Sequence, residues 1–153
     1  MKITDILTVD AIISDLSGRN KDSVLKELAE KFALAYRTLQ AAPVLEVLQA
    51  RETISTTAIG EGVAIPHGKL AKIAGVHAVF ARSVGGVDFD SLDGEPTYLF
   101  FALIAPEDSA ADHLKALARI SRLLKDAGFR GRLMQDGSGS ELFDTIAQED
   151  QKF

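Results

Sequence analysis

The sequence predicts a layered α/β domain, and three features of the chain support this prediction. Hydrophobic residues recur at helical spacing in the first third of the chain and again beyond residue 109. Two segments between these regions, 76–84 and 97–104, have the composition of strands. The second segment lacks polar alternation, as expected for a central strand that is covered on both faces.

Length and composition exclude several classes of protein. A chain of 153 residues is typical of one domain, so we expect residues 1–153 to form a single domain around one core. Because the net charge is −5 and the basic residues are scattered, no nucleic-acid-binding surface is expected. The chain has no cysteine, no apolar run long enough to span a membrane and no visible export signal, so we expect a cytoplasmic protein without membrane insertion.

The first half of the chain predicts two helices between short strands. A strand over 11–16 is followed by a turn, and Asn20 is then a candidate N-cap for a helix with one apolar stripe. The second helix carries Pro43 in its first turn and ends near Arg51. Segment 53–62 is rich in small and hydroxyl residues, which indicates a loop, and 63–65 predicts a brief strand.

The second half predicts two strands and two helices. Gly85-Gly86 and Asp93-Gly94 are turn signals that bound the segments 76–84 and 97–104. Ser109 and Asp112 have the spacing of a capping box at the start of a helix that continues to about residue 126. Ser138 and Glu141 have the same spacing and predict the start of a final helix.

His67 is the residue whose setting best suits a reactive imidazole. It follows the stiff Pro66 and precedes Gly68, which leaves one side of the ring open to approach. A neutral imidazole near pH 7 is a good nucleophile, and it forms a phosphoramidate that can be passed on. A hydrogen-bonded turn histidine without chemistry is the alternative interpretation of the same residue.

Four further residues could surround a phosphoryl group on His67. Arg51 can supply a bidentate cation, Thr56 and Thr57 hydroxyl donors, and His113 a ring N–H in the first turn of a helix. Each residue also has an ordinary structural role open to it, because spacing along the chain does not show that they converge.

A metal site is the other candidate. His67, His113 and a carboxylate such as Glu61 could in principle hold zinc, but no metal-motif spacing supports this arrangement. We therefore expect no metal and no cofactor. His77 is assigned no role.

Two segments resemble a known family. The stretch 51–70, RETISTTAIGEGVAIPHGKL, is similar to the active-site segment of the fructose, mannitol and nitrogen-type enzyme IIA family of the bacterial phosphotransferase system. The stretch 99–106, LFFALIAP, followed by His113-Leu114, resembles the second histidine segment of that family. The resemblance covers essentially the whole chain, and His67-Gly68-Lys69-Leu70 looks most like the nitrogen-type branch.

The resemblance implies a three-layer α/β/α domain around a mixed β-sheet. It also implies that His67 accepts the phosphoryl group, that His113 and Arg51 are the second active-site histidine and the active-site arginine, and that Thr56 and Thr57 lie in a phosphoryl-binding loop. The expected donor is a histidine phosphocarrier protein (HPr-like or NPr-like), and the expected targets are soluble regulatory proteins. A sugar-specific enzyme IIA that passes phosphate to a IIB component and a regulatory binding module without turnover remain open alternatives.

One residue departs from the family pattern. Glu61 stands where many members carry an uncharged residue, and an inward-pointing carboxylate would repel phosphate. We expect the Glu61 side chain to point outward.

Overall fold

A computed structural model describes residues 1–153 as a six-stranded mixed sheet with five α-helices. The strands are β1 Ile12–Ile13, β2 Ala58–Gly60, β3 Val63–Ala64, β4 His67–Leu70, β5 His77–Val87 and β6 Thr97–Pro106. The helices are α1 Lys21–Ala35, α2 Ala41–Ile54, α3 Ala110–Leu124, α4 Ala127–Gln135 and α5 Gly139–Asp150. None of these helices combines the length and apolar character needed to cross a bilayer.

Strand β6 organises the sheet. It pairs antiparallel with β5 and parallel with both β3 and β4, which lie one after the other along it. Strand β1 extends the sheet beyond β5, and β2 extends it beyond β3. Every residue of β6 except Tyr98 is buried, which confirms the prediction of a covered central strand.

The helices cover the sheet in two groups, which gives the expected three-layer α/β/α arrangement. Helices α1 and α2 pack against each other and contact β5 and β4, respectively. Helices α3, α4 and α5 pack in succession, with α3 against β6 and α5 against β1. Forty buried hydrophobic side chains form one continuous core between these layers.

Two predicted helix starts have the side-chain caps that the sequence indicates. The Asn20 side chain accepts a hydrogen bond from the Ser23 N–H, and Ser138 accepts one from the Glu141 N–H. Helix α3 also starts where predicted, but Ser109 forms no side-chain cap. The Ser109 backbone has φ −121° and ψ 54°, outside the extended conformation in which a capping side chain reaches the first helical turn.

Three local predictions are wrong in detail. Gly85-Gly86 is not a turn but lies inside β5, where the pairing register shifts and Gly86 has φ 81°. The loop predicted over 53–62 contains strand β2, which pairs antiparallel with β3. The sequence does not predict helix α4 because its two glycines weaken the helical signal, and Asp126 caps this helix instead of ending the preceding one.

Gly68 brings α2 close to β4. A Cβ atom built on Gly68 would lie 2.8 Å from Cγ2 and 3.0 Å from Cβ of Val47, and 3.2 Å from the Val47 carbonyl carbon. No other residue type fits this contact unless the Val47 side chain or its helix moves. The close packing holds the end of α2, which carries Arg51, beside His67.

Candidate functional site

The predicted Arg51, His67 and His113 line one cavity of about 500 Å³. Arg51 is in the last turn of α2, His67 is the first residue of β4, and His113 is in the first turn of α3. The three elements meet because α2 packs against β4, β4 pairs with β6, and α3 follows β6 along the chain. The cavity is also lined by Val47, Ala50, Ile54, Gly68, Lys69, Ala110, Leu114 and Leu117.

The His67 ring is oriented by a backbone carbonyl two residues earlier. Its Nδ1 lies 2.7 Å from the carbonyl oxygen of Ile65. A carbonyl oxygen can only accept, so Nδ1 carries a proton, and in the neutral ring the lone pair is on Nε2. The geometry therefore selects the tautomer in which Nε2 carries the lone pair.

Burial also favours a neutral His67. Desolvation is the largest cause of a lowered pKa at this imidazole, and the positive charges of Arg51 and Lys69 act in the same direction. The hydrogen bond to Ile65 and the negative charge of Glu52 oppose this shift without reversing it. A lowered pKa keeps the Nε2 lone pair available at neutral pH.

His113 lies against His67 and uses neither of its ring nitrogens within the protein. The two ring centroids are 5.3 Å apart at an interplanar angle of 83°. His113 is 5% exposed, and both Nδ1 and Nε2 lack a hydrogen-bond partner. Burial, together with the charges of His67 and Lys69, lowers the pKa of His113 to about 4. A neutral ring at this position has one N–H to donate to a bound group.

The charged side chains that line the cavity are both cations. Arg51 and Lys69 form no salt bridge, and no Asp or Glu lines the cavity. Arg51 Nη1 donates to the carbonyl oxygen of Ser55 at 2.9 Å, which holds the guanidinium from one end. This charge distribution suits an anionic ligand and opposes a cationic one.

Thr56 and Thr57 do not line the cavity. The Thr56 hydroxyl donates to the carbonyl oxygen of Phe89, and the buried Thr57 hydroxyl donates to Glu52 Oε2. The structure thus gives both hydroxyls partners within the protein, and their binding of a phosphoryl group stays a prediction.

Glu61 points away from the cavity, as expected. Its side chain is 80% exposed, lies 3.6 Å from Nη2 of Arg130 and lines a separate cleft. The zinc alternative of His67, His113 and Glu61 is therefore not assembled. No three His, Asp or Glu side chains stand close enough together to hold a metal ion.

Sequence reasoning did not assign three residues that surround the cavity. Lys69 lines it beside His67, and Ile54 and Leu114 are apolar side chains that are 79% and 66% exposed. Ile54 falls at the end of one helix and Leu114 at the start of another, so no local pattern links them. The only signal for Lys69 is its place two residues after His67.

Comparison with known proteins gives one consistent family. Residues 5–149 match the family described as phosphoenolpyruvate-dependent sugar phosphotransferase system, EIIA 2. The nitrogen regulatory protein of Bradyrhizobium diazoefficiens is 45% identical over 147 residues, which cover 96% of this chain and 95% of that protein. The fructose-specific EIIABC component of Bacillus subtilis is 37% identical over 98% of this chain and 24% of its own length.

A solved structure agrees with this result. The nitrogen regulatory protein IIA-Ntr from Neisseria meningitidis superposes with a TM-score of 0.87 at 32% identity. The superposition covers 94% of this chain and 98% of that structure.

Proposed function

Since this chain belongs to the EIIA 2 family of the phosphoenolpyruvate-dependent sugar phosphotransferase system, we propose that it carries a phosphoryl group on Nε2 of His67 and works in a nitrogen-type regulatory relay. The observation that carries the proposal is the bond between His67 Nδ1–H and the Ile65 carbonyl. That bond leaves the Nε2 lone pair free at a cavity lined by two cations and no carboxylate.

The transfer step is an exchange of one N–P bond for another. The Nε2 lone pair attacks phosphorus, and the bond from phosphorus to the donor imidazole breaks with its electron pair returning to that ring. The Nδ1 proton stays in place, and the Ile65 carbonyl stabilises the positive charge that develops on the His67 ring. No water, metal or redox partner is needed to balance this step.

The surrounding side chains stabilise the group that is transferred. A phosphoryl group presents three anionic oxygens, and its transfer depends mainly on positioning and charge. Arg51 supplies a planar donor, Lys69 a second cation, and neutral His113 a ring N–H from a helix N-terminus. An oxygen of the phosphoryl group would satisfy a nitrogen of His113 that has no partner within the protein.

The donor and the targets are proteins in this proposal. The cavity mouth carries exposed apolar Ile54 and Leu114, which suits contact with a protein surface. We propose a cytoplasmic histidine phosphocarrier protein (HPr-like or NPr-like) as donor and soluble regulatory proteins as targets. The phosphoryl group adds roughly −1.5 to −2 charges, enough to change a transient contact.

A sugar-specific role is the second candidate, because a fructose-specific protein is also similar over 98% of this chain. In that role the phosphoryl group passes from His67 to a IIB component. The two roles share His67 and differ in the protein that receives the group.

The test of the acceptor is an incubation with phosphoenolpyruvate, enzyme I and a histidine phosphocarrier, followed by intact-mass measurement. We expect one acid-labile phosphoryl group on the wild type and none on His67→Ala. His77→Ala is the control, since His77 lies outside the cavity and should leave labelling unchanged. Label that survives in His67→Ala, or that is stable in acid, contradicts the assignment.

The test of the relay uses the labelled protein in two parallel assays. Phosphorylation-sensitive capture of a defined soluble target supports the regulatory role. Robust sugar phosphate formation with membranes and fructose or mannitol favours the sugar-specific role. Labelling without transfer in either assay favours a regulatory binding module.

A further inference from the structure

Glu52 is the buried carboxylate nearest in sequence to the site, and it faces away from the cavity. It follows Arg51 directly, and consecutive helical residues point about 100° apart. The Glu52 side chain is 3% exposed. A carboxylate at this depth requires specific partners, so its contacts explain why it is there.

Those contacts fold the chain after α2 back onto the helix. Glu52 Oε1 accepts from the Thr57 N–H at 2.8 Å, and Oε2 accepts from the Thr57 hydroxyl at 2.7 Å. Lys21 Nζ, at the start of α1, lies 3.1 Å from Oε1 and offsets the charge. Two hydrogen bonds from Thr57 to the Glu52 carboxylate therefore hold the end of the turn 55–57 in place.

The same turn also holds Arg51. The carbonyl oxygen of Ser55, two residues before Thr57, accepts from Arg51 Nη1 at 2.9 Å. Glu52 pairs with Lys21, and Arg51 forms no salt bridge, so the charge of Arg51 remains available for a ligand. A continuous chain of contacts thus runs from Glu52 through Thr57 and the turn to the Arg51 guanidinium.

We propose that Glu52 is a positioning residue for phosphoryl transfer, which fixes the turn whose Ser55 carbonyl aims Arg51 at His67. The inference rests on the proposed function of His67. It assigns Glu52 no contact with the phosphoryl group. Apart from the small effect of its charge on the His67 pKa, Glu52 acts through Arg51. Misplacement of a group by about 1 Å is enough to slow a reaction severely.

The test measures the rate at which phosphoramidate phosphorylates His67, because this small donor needs no protein partner. Its N–P bond breaks as ammonia leaves, and the new N–P bond forms at Nε2. We expect Glu52→Gln to react roughly tenfold more slowly than the wild type, since the amide loses the second acceptor and the charge. Glu46→Gln removes the same negative charge from an exposed position on the same helix, and its phosphorylation rate should match that of the wild type.

A double-mutant cycle separates positioning from general disruption. In an Arg51→Ala background, Glu52→Gln should cause no further loss of rate. The Nε–H NMR signal of Arg51 should also shift and broaden in Glu52→Gln but not in Glu46→Gln. An unchanged rate in Glu52→Gln, or an equal loss with and without Arg51, overturns the inference.

A second variant serves if Glu52→Gln does not fold. Thr57→Val removes only the hydroxyl bond and is tested in the same cycle, and Thr57→Ser should restore the rate.

Two further results distinguish this test from the test of the proposed function. A wild type that takes no phosphoryl group on His67 from either donor contradicts the proposed function itself. A labelled wild type with an unaffected Glu52 variant contradicts only the positioning role.

Discussion

At the scale of single residues, His113 is the side chain whose environment departs most from that of an ordinary histidine. It is 5% exposed and neither ring nitrogen has a partner within the protein. Burial of polar atoms without partners lowers stability, and such exceptions concentrate at functional sites. The unpartnered nitrogens of His113 therefore lower stability, but they leave a ring N–H unused beside the His67 ring.

The pH dependence of unfolding should report this environment. Unfolded His113 takes a proton near its ordinary pKa of 6.5, whereas burial and the charges of His67 and Lys69 delay protonation of the folded state to about pH 4. The unfolded state therefore binds more protons between these values, and the free energy of unfolding should fall as pH decreases from about 6.5 to about 4.

Denaturant unfolding at several pH values measures this effect, and NMR titration assigns it. In His113→Gln the free energy of unfolding should fall less as pH decreases. Part of the fall should remain, because the pKa values of His67 and His77 are also lowered in the folded protein. Parallel stability profiles for the two proteins, with His113 titrating near its ordinary pKa of 6.5, would contradict the prediction.

At the scale of elements, the contact between α2 and β4 fixes the position of Arg51 relative to the ring of His67. Gly68 and Val47 form this contact at a distance that leaves no room for a side chain. Within the sheet, Gly68 is paired in register with Ile104 of β6. The strand cannot shift to relieve a clash without loss of pairing to β6, so the helix would have to move.

Gly68→Ala should therefore lower both stability and the rate of His67 phosphorylation. Overpacking of this kind costs about 1–3 kcal/mol in the free energy of unfolding, measured by chemical denaturation. Gly131→Ala is the matched control, because a Cβ on this exposed helical glycine meets nothing within 4 Å. Val47→Ala should restore part of the loss in Gly68→Ala, and additive effects of the two changes would contradict the packing argument.

At the scale of the whole molecule, the two ends of the chain are joined at a buried carboxylate. Asp150 accepts from the Ile3 N–H at 2.8 Å and from Arg119 Nε at 2.6 Å, and its side chain is 2% exposed. Lys2 Nζ donates to the carbonyl oxygens of Asp150 and Phe153. These contacts connect the short 3₁₀ turn Ile3–Asp5, α3 and the end of α5 through the Asp150 carboxylate.

Asp150→Ala should be among the most destabilising single changes. It leaves the Ile3 N–H and Arg119 Nε without the carboxylate that both bind, and loss of one member of a buried ion pair costs about 3 kcal/mol or more. Lys152→Ala removes a 59% exposed partner of Glu149 and should change the free energy of unfolding by less than about 1 kcal/mol. Similar urea midpoints for the two variants would contradict the central role of Asp150.

The candidates Arg51, His67 and His113 come from the chemistry of their side chains and from the resemblance of two segments to the enzyme IIA family. Local sequence patterns are sufficient to predict a layered α/β fold and the caps at Asn20 and Ser138. These features depend on periodicity and on contacts within about four residues, which local patterns record. The same local pattern at Ser109 and Asp112 predicts the start of α3 correctly but not a capping bond, because the Ser109 backbone, with ψ 54°, is not extended.

How these residues are used depends on contacts that form only when the chain is folded. Pairing of β4 with β6, which α3 follows, brings the ring of His67 to that of His113. Long-range contacts likewise direct the Thr56 hydroxyl to the Phe89 carbonyl and the Glu61 carboxylate to Arg130. The physical reason is that side-chain direction and hydrogen-bond partners depend on residues far apart in the chain, about which local spacing carries no information.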